Sequence, residues 1–489
     1  MMMTMMFTRK VISLLALGAL ASAQVQAPAL AGHGAPISDA DRIYTGDQSS
    51  NTITVIKPKT GEVLGTINLG DSRLTDVIGP QYVKVVNSHG LGFSRDGKYI
   101  VSLSVTSNTV TVIRCADNSI VSQTSIDRNP HEAFFSADNR TIWVGTRGTD
   151  RIDIVDGFTG GIVGRVDSYG GPSKVLFSPD GKYAYANHIR SPSLSVIDVR
   201  SRKVVHNITG LVDKFSSDMM LSADGQRLWA AHKMVGKISI IDLRQNKVIG
   251  GLDTGSETNH PNFAVLNGTT YGFVTVAATN ETKMYAQPDA SKMPVYVGTI
   301  PSSGVEPHGL WPSADNTRMY IVNEHSDTVD IVDLTLNPPK VVKTLNVGQE
   351  GQALIYVANA VPSGDGKQNL GTSGLYNKPA VNKIITQEGA AVKAGNPDPS
   401  ALITVRPQGG LDEFQIIGRD LQFNTTYTVS GSCCKCGDIK IPLVDFKATA
   451  PMGDGCGTAP QVLAFFKFFG VYELDSLVLT SVPDGMADV

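Results

Sequence analysis

The sequence predicts an all-β chain, a seven-bladed β-propeller followed by a small β-sandwich-like domain. Three observations carry this expectation. A turn of the Ser-x-Asp-Gly kind recurs at Asp96-Gly97, Asp138-Asn139, Asp180-Gly181, Asp224-Gly225, Asn267-Gly268 and Asp315-Asn316. The residues seven before these turns, continued to Gln352, form the series His89, His131, Ser173, Ser217, His260, His308, Gln352, with spacings of 42, 42, 44, 43, 48 and 44. Around each turn lie two alternating apolar and polar segments, then a third ending like Val-Ile-Asp and a fourth such as Lys247–Thr254. Four short strands at that period are a propeller blade.

The elements follow in chain order. Residues 1–23 read as a signal peptide: Arg9-Lys10, the apolar run Val11 to Leu20, and the small-residue site Ala21-Ser22-Ala23, with Ala29-Leu30-Ala31 as a second site. The run is too short to span a bilayer, and no later segment is long enough, so an extracytoplasmic, soluble mature protein is expected. The propeller is placed at residues 41–360. Its first copy, Asp41 to Gly70, lacks an opening strand, whereas Gly351 to Ala360 supplies an opening strand with nothing after it. Together they complete one blade and close the ring. Residues 361–400 are rich in Gly, Pro and Ser and read as a linker or a loop draped over the propeller.

Residues 401–489 contain short apolar segments in a sandwich-like pattern and four of the five cysteines, Cys433, Cys434, Cys436 and Cys456. In an exported domain these are expected to form two disulfides, with a thiolate metal site as the alternative. Cys115 stands alone and is expected to be a free thiol. The net charge of −3 gives no basic surface for nucleic acid or an anionic membrane. Sequons at Asn139, Asn207, Asn267, Asn280 and Asn424 would permit glycosylation in a eukaryotic host.

The segments YIVNEHSDTVDIVDL, from Tyr320, and YAYANHIRSPSLSVID, from Tyr183, resemble the YVTN-type repeat of seven-bladed lactonase-like and quinoprotein-like propellers. The resemblance covers roughly residues 41–360. It implies the fold, which hosts hydrolases, lyases, oxidoreductases and binding modules alike. The propeller of nitrous-oxide reductase is similar in directing histidines from many blades at a copper–sulfide cluster. This chain departs from that enzyme because its C-terminal part has no Cys/His/Met motif for an electron-entry copper.

Asp/Asn-Gly turns close hairpins, so positions seven before and eight after the turn are expected to face each other on neighbouring strands. The later position reads Ser104, Thr146, His188, His232, Thr275 and Asn323. Six blades thus offer one imidazole each: His89, His131, His260 and His308 from first strands, His188 and His232 from second strands. Six of the nine histidines in the chain fall in this register. Converging imidazoles on rigid strands make a preorganised metal site, so these six are the expected ligand pool. With few carboxylates among them, copper and oxidoreductase chemistry on a small molecule are favoured.

Asp47, opposite Gln352 in the shared blade, and Glu324 are the expected proton acceptors, and Arg147 supplies positive charge for an anionic substrate. His325 is expected behind the ligand residues or at the rim, His206 at the surface, and His33 ahead of the fold. Trp143, Trp229 and Trp311 are expected in the core. Two other readings stand beside the copper enzyme. One is a lactonase-like hydrolase, lyase or isomerase using channel histidines and carboxylates. The other is a binding propeller whose histidines were duplicated with the repeat, its C-terminal domain engaging a protein partner. No nucleophile elbow, P-loop, dinucleotide fingerprint or haem-attachment motif is present.

Overall fold

The computed structural model describes residues 34–70, 86–375, 380–388, 398–408, 411–433, 439–451, 457–458 and 462–482. The expected signal peptide, His33, Cys434, Cys436 and Cys456 lie outside these residues. Among the described residues, the strands from Arg42 to Val357 form seven four-stranded antiparallel blades. Blade 1 is the shared one, with Gly351–Val357 paired to Arg42–Asp47, followed by Thr52–Lys57 and Glu62–Asn68. Blades 2 to 7 open with Gly90–Phe93, Pro130–Phe135, Pro172–Phe177, Asp218–Leu221, Thr258–Leu266 and Pro307–Pro312.

The turn motif has a local physical cause. Ser94, Ser136, Ser178, Ser222 and Ser313 each donate a hydroxyl hydrogen bond of 2.6–2.7 Å to the aspartate two residues on. The next residue is left-handed, at φ 71 for Gly97 and φ 54 for Asn139, which favours Gly or Asn there. These turns fix the register of strands whose side chains are almost wholly buried. Trp143, Trp229 and Trp311 are core residues as expected, at 2%, 0% and 3% exposure. Cys115 is a free thiol, fully buried; burial pushes it up to about 12.

The ring closes around Asp41. Its carboxylate accepts from Tyr356 Oη at 2.6 Å, the Asn359 amide at 2.8 Å and the Ser38 amide at 2.8 Å. Segments more than 300 residues apart in sequence therefore meet at one buried acid. Residues beyond the propeller first run along its outer edge, where Asn118 Nδ2 donates to Gly366 O at 2.8 Å and Thr66 pairs with Gly371.

Two sheets then form the sandwich. One contains Val381–Thr386, Ser400–Gln408, Leu411–Arg419 and Val462–Phe466; the other contains Lys440–Lys447, Thr426–Ser432 and Val478–Ser481. They share a core that includes Ile403, Phe414, Tyr427 and Leu479. The two expected disulfides are not found among the described residues: no disulfide joins any two of them, and of the four cysteines only Cys433 is described.

Replacing Asp41 by Ala strips the ring closure of its common acceptor. The loss should be about 2–3 kcal/mol, read as a lower urea midpoint. Asp253→Ala, which removes a carboxylate 83% exposed beside Lys237, should leave the midpoint nearly unchanged.

Candidate functional site

The site lies where the opening strands of the blades start, beside the propeller axis. In four blades a β-bulge interrupts the opening pair, between Pro130 and Ala133, Pro172 and Val175, Thr258 and Pro261, and Pro307 and Leu310. The bulge inserts a residue, so Pro130, Pro172 and Pro307, not their successors, face Thr146, His188 and Asn323. The expected face-to-face register is therefore corrected in these blades. The residue after the proline is free to turn toward the axis.

The structure brings together four of the six expected histidines. The rings of His89 and His131 lie 4.8 Å apart, and those of His260 and His308 lie 4.5 Å apart. His89 Nδ1 is 2.6 Å from Gln48 Oε1, and His308 Nδ1 donates to Gln352 O at 2.9 Å. His188 and His232 are not in this group. His188 Nε2 bonds Ser195 Oγ at 3.0 Å and its ring stacks on Tyr169. His232 bonds Ser239 Oγ at 2.8 Å and Phe215 O at 3.0 Å. Both brace adjoining strands of their own blades.

Cations interleave with the imidazoles. Arg147 is anchored by Nε to Ser173 Oγ and by Nη2 to Ser217 O, both at 2.8 Å. Burial, then Arg147, His308 and Lys233, hold His89 down at about 3. Burial also lowers His260 to about 3, with Lys174 adding to the effect, and puts His131 and His308 well below the usual range. Burial in turn lowers Arg147 to about 10. The four imidazoles are neutral, which suits them to accept a proton or donate a lone pair.

Two clusters of buried acids adjoin them. Glu132, Asp218 and His260 surround Lys174, whose Nζ lies 2.5 Å from Glu132 and 2.8 Å from Asp218. Glu132, Lys174 and His260 border a small axial cavity with Trp311 and Leu354. Glu306, Glu324 and His325 form the second cluster. Each could hold a metal ion, and each sets two carboxylates beside one imidazole, unlike the imidazole-rich set on which copper was favoured.

Glu324 Oε2 lies 3.8 Å from His308 Nε2. Burial, then Glu306 and Glu350, push Glu324 well above the usual carboxylate range. Asp47 is closed off at 0% exposure, accepting hydroxyls of Thr45, Thr52 and Thr54. Burial raises it to about 7 despite these donors. Lys174, Lys233, Glu132, Asp218 and Glu306 were not singled out from the sequence. Glu132 and Lys174 follow the register positions His131 and Ser173 directly, the one signal that would have found them.

The sandwich domain docks on this face, over blades 1, 6 and 7. Arg406 is fully buried and reaches Asp327 at 3.2 Å, Glu413 at 3.5 Å and Glu350 at 3.8 Å. Arg419 holds Glu257 through two bonds of 3.0 and 2.7 Å. His89, Arg147 and Lys233 keep partial exposure, so the mouth stays open at their side.

Fold and site together define a seven-bladed propeller with a polar, histidine-lined axial mouth. Residues 35–344 match the family described as lactonase, 7-bladed β-propeller. That is more than half of the chain, and the chain belongs to this family.

Solved structures agree in fold. The periplasmic gluconolactonase of Pseudomonas aeruginosa is 15% identical, with 65% of this chain and 99% of that one covered at a TM-score of 0.51. A Bacteroides fragilis protein described as a candidate 6-phosphogluconolactonase is 12% identical, with 66% and 99% covered at 0.54. A Desulfotomaculum acetoxidans protein of unknown function is 10% identical, with 64% and 98% covered at 0.54. No curated protein matches the chain in sequence.

The histidine environment sets a pH dependence. A folded-state pKa below the unfolded value means the unfolded chain binds more protons between the two, so stability falls as pH falls. His188 and His232, lowered by burial to about 4, and His260, lowered to about 3, place this loss below the usual histidine value of 6.5. The urea midpoint should therefore drop from pH 6.5 to 4.5, and His232→Gln should flatten that slope. An unchanged slope would show that His232 is not buried and neutral.

Proposed function

We propose that the chain is an extracytoplasmic lactone hydrolase that opens a small cyclic ester in the axial mouth of the propeller. The carrying observation is the set of neutral imidazoles, His89, His131, His260 and His308, beside Arg147 in a propeller of the lactonase family. The names of the Pseudomonas and Bacteroides structures support the substrate class. Residues 1–23 as a signal peptide and the periplasmic relative support the location.

The chemistry follows from the placement. A neutral imidazole takes a proton from water as the water oxygen bonds to the lactone carbonyl carbon. We assign this role to His131, whose Nδ1 has no hydrogen-bond partner and whose ring lies 4.8 Å from that of the partly exposed His89. The anchored guanidinium of Arg147 stabilises the oxyanion. The carbon–ring-oxygen bond then breaks, and the imidazolium returns its proton to the departing oxygen, leaving a hydroxy acid. Burial weakens His131 as a base; forming its imidazolium beside a new oxyanion offsets that cost.

In this reading Arg147 acts directly, Glu324 supports His308, and Asp47 is structural. The partly exposed side at His89, Arg147 and Lys233 admits the substrate. The propeller, residues 41–360, carries the reaction and the sandwich domain roofs the rest of the mouth.

The test is a pH-stat assay on five- and six-membered sugar lactones. Arg147→Met and His131→Gln should each lower kcat/KM about 100-fold or more, while His188→Gln retains activity. Failure of the wild type to open any of these lactones would overturn the reading and leave the binding propeller.

A further inference from the structure

Blade 7 holds a polar group that the proposed hydrolysis does not use as a unit. Glu306 sits on the loop entering the blade, in the left-handed region at φ 58. Glu324 and His325 begin the short turn Glu324–Ser326 that follows the second strand. These three side chains are 1%, 3% and 0% exposed, with ligand atoms all within 4.8 Å of one another.

Their hydrogen bonding is incomplete. Glu306 Oε1 accepts from Lys233 Nζ at 3.1 Å, but Glu306 Oε2 has no hydrogen-bond partner. It faces His325 Nε2 at 3.2 Å, and that approach is too poorly aligned for an N–H···O bond. His325 Nδ1 is unpartnered as well. A buried imidazole carries at least one N–H, so a donor and an acceptor are stranded together, which is rare and costly in a protein interior.

We propose that Glu306, Glu324 and His325 form a binding site for a first-row divalent cation, zinc foremost. The cation satisfies Glu306 Oε2 and a ring nitrogen of His325 at once, with the Glu324 carboxyl within reach. His308 Nε2 lies 3.8 Å from Glu324 Oε2, beside the cluster and outside its three mutually close ligand atoms. The 3.2 Å between His325 Nε2 and Glu306 Oε2 is near the roughly 3.4 Å expected between ligands around tetrahedral zinc.

The backbone at the site is held from outside. Asn382 Nδ2 donates to His325 O at 2.7 Å, and Arg406 Nη2 donates to Glu324 O at 3.3 Å. Lys233 fixes the non-ligating oxygen of Glu306, the outer-partner role that orients metal ligands. The contrast with Glu132, Asp218 and His260 is informative. There the Lys174 ammonium already occupies the cation's place between the two carboxylates.

The experiment reads binding, not lactone hydrolysis, so it stands or falls separately from the proposed activity. Full-length protein stripped with chelator is titrated with Zn²⁺ by calorimetry, and with Co²⁺ by visible absorption. One equivalent per chain is expected, with intense cobalt d–d bands of a low-coordinate nitrogen–oxygen site that zinc abolishes. Glu306→Gln and His325→Gln should each weaken zinc binding about 100-fold or more, whereas His188→Gln leaves it unchanged.

Absent uptake in the wild type overturns the site, as does uptake indifferent to both substitutions. Should either variant fail to fold, the wild-type cobalt spectrum decides. Weak bands like those of aqueous cobalt overturn the assignment.

Discussion

Everything at the mouth depends on closing the ring. Arg42–Asp47 pairs with Gly351–Val357, and the Asp41 carboxylate fastens the joint through Tyr356, Asn359 and Ser38. A propeller blade buries its faces only against its neighbours, so an open ring would expose two of them. Closure sets the distance of every opening strand from the axis. His89 of blade 2 thereby reaches Gln48 of blade 1, and His308 of blade 7 reaches the backbone of Gln352.

Closure also confines charge. Lys174, Arg147 and Lys233 share the axial region with Glu132, Asp218, Glu306 and Glu324, and water reaches little of it. Buried charges are tolerated only when paired, and most are: Lys174 with two carboxylates, Lys233 with Glu306. The imidazoles respond by staying neutral. Glu324 makes no such ion pair among the described residues, and burial, then Glu306 and Glu350, push it well above the usual carboxylate range. Hydrogen bonding stays incomplete there at His131 Nδ1, at Asp218 Oδ2 and at the stranded atoms of Glu306 and His325.

The sandwich domain enters the same electrostatics. Arg406 and Arg419 carry positive charge onto the rim carboxylates Asp327, Glu350 and Glu257. The domain thus covers the acidic side of the mouth and leaves the side of His89 and Arg147 accessible. Its strands Val381–Thr386 and Ser400–Gln408 bring Asn382 and Arg406 to the backbone of blade 7.

Periodicity made the blades legible, because each Ser-x-Asp-Gly turn is a local hydrogen-bonded unit that reads the same in sequence and space. The shared blade was legible for the same reason, one fragment lacking what the other supplied. Four imidazoles at the axis were visible as register positions. Their separation from His188 and His232 was not, because it depends on partners within their own blades: Ser195 holds His188, and Ser239 and Phe215 hold His232.

Nor could the sequence pair Glu306 with His325 or lay Arg406 against Asp327, since those contacts join different loops and different domains. Local hydrogen bonds fixed the strands and turns from the chain itself. Which charges meet at the axis was decided only by tertiary structure, because their energies depend on burial and on neighbours distant in sequence.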